Sequence, residues 1–119
     1  MKLITLKGNP LSTNHVYYHA GKGLTFLKPK AKALKDDYGW QIISQWKGKP
    51  LAGDIEIIIR IYFGTKRKVD WDNYHKLSMD AMNKRVWIDD SQIQRATVEK
   101  GYDKLSPRTE IEVFDLSTS

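Results

Sequence analysis

Between Asp54 and Phe63 the chain alternates, with Ile55, Ile57, Ile59, Ile61 and Phe63 on one side and Glu56, Ile58, Arg60 and Tyr62 on the other. Side chains two apart share a face of a strand, so this segment predicts a strand with one apolar and one mixed face. The apolar face must be covered. A length of 119 residues suits one domain (1–119) with a single core. Ala31, Leu34, Tyr38, Ile42 and Trp46 recur at spacings of three and four and predict a helix from Pro29 to Trp46. Pro29 suits its first turn, and Gly48 with Pro50 ends it. A second helix is expected from about Asp70 or Asp72 to Lys84, with Tyr74, Leu77 and Ala81 towards the core.

The remaining elements are shorter. Leu3 to Leu6 reads as a strand, and Gly8 to Gly23 as loop with some extended pairing. Val86-Trp87-Ile88 is a short apolar run, and Val98–Tyr102 with Thr109–Phe114 suggests a hairpin across Asp103 to Pro107. Trp40 and Trp46 are expected in the core. Strands and helices mixed without regular alternation predict an α+β domain, a mixed sheet packed by two main helices.

Charge narrows the partners. The formal net charge is +6 and the sequence pI about 9.5, a surface that attracts polyanions such as DNA or RNA. Many basic proteins bind no nucleic acid, so charge alone does not decide. The absence of cysteine removes disulfides and Cys-ligated zinc. No apolar run approaches the roughly 20 residues of a membrane helix, and the charged N-terminus does not resemble a signal peptide. A cytoplasmic location, away from membranes, is the expectation.

The informative segment is Lys66-Arg67-Lys68-Val69-Asp70-Trp71-Asp72-Asn73-Tyr74-His75-Lys76. Three cations lead into two carboxylates two residues apart, and Asp72, Lys76 and Asp80 fall on one helical stripe. Phosphodiester hydrolysis attacks an anionic centre and expels an alkoxide. Divalent metals ease both steps, and magnesium takes hard oxygen ligands such as aspartate. A neighbouring lysine adds charge for the phosphate. A second acidic patch, Asp89-Asp90, follows the apolar run. Each patch also has a plain explanation. Asp70 or Asp72 would cap a helix, Asp72 and Lys76 would form a surface pair, and Asp89 with Gln92 has capping-box spacing. An EF-hand is a poor fit, lacking its glycine and distal glutamate.

Taken together, these motifs resemble the RusA family of Holliday junction resolvases. The matching elements are Pro10-Leu11-Ser12-Thr13-Asn14, Asp70-Trp71-Asp72-Asn73, Lys76, Asp80-Ala81 and Asp89-Asp90-Ser91-Gln92-Ile93. They span nearly the whole chain, and the stretch from Asp70 to Ile93 is the specific part. The resemblance implies a homodimeric, magnesium-dependent endonuclease, with manganese a possible substitute, that resolves four-way DNA junctions by paired symmetric nicks. It implies Asp70, Asp72 and Asp90 as metal ligands and Lys76 as the essential lysine. Asp89 is a further candidate, and Asp90 is favoured over it.

Lys66, Arg67 and Lys68 are the leading phosphate contacts, with Asn14 and Asn73 beside them and Lys100, Lys104 and Arg108 behind. Tyr17 and Tyr18 suit packing as well as base stacking, and a zinc site at His15 and His19 is disfavoured because that stretch reads as extended. Two other readings stay open: a junction-binding module without catalysis, and a basic subunit of a larger assembly.

Overall fold

The computed structural model describes residues 2–12, 17–66 and 74–117, without the side chains of 17–20 and 24–26. The elements run β1 (Lys2–Lys7), β2 (Tyr17–Ala20), β3 (Leu24–Leu27), α1 (Pro29–Gln45), β4 (Ile55–Phe63), α2 (Lys76–Met82), β5 (Ile93–Tyr102) and β6 (Arg108–Asp115). A single 3-10 turn, Asp90–Gln92, leads into β5. β1, β6, β4 and β5 form one sheet in that order, while β2 and β3 pair separately as a hairpin. The domain is α+β.

β4 sits inside the sheet, antiparallel to β6 and parallel to β5. Ile55, Ile57, Ile59 and Ile61 are all buried, as the alternation requires. They join Ile4 and Leu6 of β1, Ile111 and Val113 of β6, and the inner faces of both helices in one contiguous core. α1 contributes Ala31, Tyr38 and Ile42; α2 contributes Leu77, Ala81 and Met82. Burial pushes the Tyr38 hydroxyl up to about 12.

Trp87 fills the largest single share of this core. Its short apolar run does not join the sheet; Trp87 forms only isolated bridges to Leu51 and Asn83. Val86 and Trp87 are fully buried while Ile88 is exposed.

α1 meets the sheet's outer edge through two glutamines. Gln45 Oε1 accepts from Thr5 N at 2.8 Å, and its amide donates to Thr5 O at 2.7 Å. Gln41 does the same with Lys7, at 2.7 and 2.9 Å. Four residues of helix rise about 6 Å and two of strand about 6.8 Å, so the spacings match. Two side chains thus occupy the edge of β1 as a further strand would.

Several expectations need correction. β5 and β6 do not form a hairpin, because β4 lies between them. A gap of one strand is about 9.6 Å, which the five residues 103–107 bridge easily, and a loop of that length looks the same in sequence either way. α2 begins at Lys76, later than Asp70 or Asp72, and ends at Met82. The stretch before α1 holds a hairpin, whose turn places Lys22 and Gly23 at positive φ. Trp40 is 72% exposed, while Trp46 packs partly against the core.

Ile59 lies in the middle of β4 with essentially no exposure, and its truncation leaves a cavity that the surrounding strands cannot close. Ile59→Ala should cost about 2–5 kcal/mol of folding free energy, read as a lower urea midpoint at unchanged slope.

Candidate functional site

β4 and β5 are parallel, so the chain must cross the sheet between them, and that crossing carries α2 and the 3-10 turn. α2 joins the core through Leu77, Ala81 and Met82, but the inner face of β5 is only partly covered: Ile93 and Val98 pack against the core while Ala96 is exposed. A cleft of about 710 Å³ results, lined by Ile57, Ile59, His75, Met79, Asp90 and the β5 residues Ile93, Ala96, Thr97 and Val98. Its walls are apolar. Asp90 is its carboxylate.

The adjacent aspartates have different surroundings. Asp89 is the N-cap of the 3-10 turn: its carboxylate accepts from Ser91 N at 3.0 Å. Gln92 Oε1 accepts in turn from Asp89 N and Ile88 N, both at 2.8 Å, and Gln92 Nε2 donates to Leu51 O and Gly53 O. Hydrogen bonds from Ser91 hold the Asp89 carboxyl below the usual carboxylate range. The capping box expected from the spacing is formed, and it engages Asp89 rather than Asp90.

Asp90 Oδ1 accepts from Trp87 Nε1 at 3.2 Å, a proton shared with Asn83 Oδ1 at 2.6 Å. A rigid, buried indole therefore orients the carboxylate towards the cleft. Sequence reasoning passed over Trp87 and Asn83; the three-residue separation of Trp87 from Asp90 was the available signal.

On α2, Lys76 Nζ lies 3.7 Å from Asp80 Oδ2, the expected i,i+4 pair. The N-cap of α2 is His75, with no side-chain cap bond. Neither Asp70 nor Asp72 is therefore the N-cap of this helix. Asp70, Asp72, Asn73, Arg67, Lys68 and Asn14 lie outside the described residues. Among the described residues no three His or acidic side chains gather into a metal-binding group. The donor chemistry nonetheless fits a hard cation, since Asp90 presents carboxylate oxygen with one atom oriented by an indole.

The cations fall into two groups. Lys66 Nζ stands 5.0 Å from the ring centre of Tyr102, at the far end of β5 from Asp90, and Lys100 follows Val98 on the cleft face. Arg108, by contrast, is committed to the fold: it bonds Asp103 at 2.7 Å and Glu110 at 2.8 Å and covers the Tyr62 ring. Its rank among the weaker phosphate contacts does not suit that geometry.

Asp89→Ala should lower stability at neutral pH, and Asp89→Asn, which keeps the cap's acceptor but not its charge, should lower it less. A carboxyl with a depressed folded pKa stabilises above its unfolded value and loses that contribution as pH falls through the folded one. The gap between wild type and Asp89→Ala should therefore narrow as pH falls below about 3.8, and that between wild type and Asp89→Asn should vanish, measured by denaturation across pH.

A sequence model described as Endodeoxyribonuclease RusA matches residues 7–114. The crossover junction endodeoxyribonuclease of Enterobacteria phage 82 is 32% identical over 91 residues, covering 76% of this chain and 74% of that protein. Those of Escherichia coli K12 and Shigella sonnei Ss046 are each 31% identical over the same shares. With nearly its whole length matched and the Asp-Asp-Ser-Gln-Ile turn folded beside the cleft, the chain belongs to the RusA endodeoxyribonuclease family.

Proposed function

We propose that this chain is a homodimeric, magnesium-dependent endonuclease that resolves four-way DNA junctions by paired nicks. Its relatives are named crossover junction endodeoxyribonucleases, which supports the nuclease class and the branched substrate. The observation that carries the reading is the division of labour at the 3-10 turn. Asp89 is used by the fold, and Asp90 is aimed by Trp87 into the cleft.

Asp90, with Asp70 and Asp72, would hold the magnesium ion. When bound, the ion supplies charge neutralisation and activation of water. The chain's own residues do the rest. Trp87 fixes the orientation of Asp90, and the apolar walls of the cleft limit competing solvent. Lys76, held near Asp80, offers an ammonium group to the phosphate as charge grows on it. Lys66 and Lys100, with Arg67, Lys68, Asn14 and Asn73, contact the DNA backbone. Two copies related by a two-fold axis match the approximate symmetry of a four-way junction, one active site per opposing strand.

Asp90→Asn should reduce junction cutting about a hundredfold or more while junction retention in gel-shift assays is kept. The same is expected of Asp72→Asn. Chelation of the metal should abolish wild-type nicking. Retention without metal-dependent nicks would make the chain a binding module instead. Binding should weaken steeply with salt through counterion release, and a flat response would argue against a backbone-dominated interface.

A further inference from the structure

The four-stranded sheet has two edges, and the chain treats them differently. The β1 edge is closed by the amides of Gln41 and Gln45. The β5 edge is ten residues long, and among the described residues nothing pairs with it. A long uncovered strand is a ready template for another strand, which proteins ordinarily blunt or use.

The side chains on β5 indicate what fits. On the sheet face away from the helices, Arg95 lies 3.7 Å from Glu56 with its side chain 76% exposed. Glu99 lies 3.4 Å from Arg60 with its side chain 54% exposed, and Arg60 also bonds Glu112. Arg95 and Glu99 stand symmetrically about Thr97, each two residues away. Both follow the bulge at Gln94, so this part of the strand is regular.

We propose that β5 pairs antiparallel with β5 of a second copy, the two-fold axis passing through Thr97. Arg95 then faces Glu99 of the other copy, and Glu99 its Arg95. Along the outer face the signs alternate without a break, from Glu112 through Arg60 and Glu99 to the second copy's Arg95 and Glu56. Centring on Arg95 or on Glu99 would instead oppose like charges, which is unfavourable. Centring on Ala96 places Arg95 opposite Thr97 and Glu99 opposite Ile93, and centring on Val98 places Arg95 opposite Gly101 and Glu99 opposite Thr97. On the inner face Ala96 meets Val98 of the other copy. This extends the apolar floor of the cleft across the axis, so each cleft containing Asp90 gains a wall that one chain lacks. The two four-stranded sheets become one of eight strands.

This interface rests on the homodimeric reading above, and the test separates the two. The chain has no cysteine, so a single introduced thiol can only bridge two copies. Opposed Cα atoms across an antiparallel pair are about 4.5–5.5 Å apart, within disulfide reach. Oxidised Thr97→Cys should therefore run almost wholly as a covalent dimer, whereas Lys100→Cys, opposite Gln94, should stay uncrosslinked. Arg95→Glu and Glu99→Arg should each raise the dimer dissociation constant about tenfold or more. An equimolar mixture of the two should recover wild-type affinity, because every facing pair in the heterodimer is then opposite in sign. Circular dichroism checks that each variant is folded, and the charge-reversed mixture decides should Thr97→Cys fail to fold. A dimer that tolerates both reversals and gives no Thr97→Cys bridge would overturn this interface and leave the homodimer standing. A wild-type chain monomeric by light scattering at tens of micromolar would overturn both.

Discussion

The row of isoleucines on β4 is the interaction on which the other elements depend. Four consecutive inward positions are buried, and each helix and neighbouring strand that shields them is thereby fixed in place. Because β5 runs parallel to β4, the chain has to return over the same face before pairing. That return deposits α2 and the 3-10 turn where the core ends and the open face of β5 begins. The cleft is thus a by-product of the crossover: its floor is the end of the core, and its acid opens the turn that leads into the strand.

How much of this the sequence disclosed varied with the range of the interaction involved. β4 and α1 follow from periodicities local to each segment, and both were legible to within a residue or so. The capping box was equally readable, since Asp89 and Gln92 act over three residues. Strand order was not legible. The sequence shows β6 and the second half of β5 as strands, misses 93–97, and carries no local sign that β4 slips between them. Trp40 was misplaced because a large aromatic suggests burial, whereas its helical position points away from the sheet. For the candidate site, the motif singled out Asp90 and Lys76, and the structure adds an indole hydrogen-bonded to the Asp90 carboxylate where it lines the cleft.

Neighbouring residues of the same type do unlike work here. Asp89 spends its oxygens on backbone amides, which fixes the turn and so fixes the residue after it. A similar division holds among the cations. Arg108 is held by two carboxylates and a tyrosine ring, whereas the ammonium of Lys66 touches only the ring of Tyr102 among the contacts described. The count of lysines and arginines therefore overstates what is available to a polyanion, because some of them, Arg60 and Arg108 among them, are paired with carboxylates on the sheet.

β1 pairs with β6, so the sheet joins the beginning of the chain to its end. During synthesis on a ribosome, β1 emerges long before the strand that will hold it, and β4 waits with one flank bare until β6 is made. Long-range pairing of this kind is slow because loop closure precedes any gain from contact. The core therefore stays open until β6 takes its place between β1 and β4, and the cleft that borders it is finished only after that pairing.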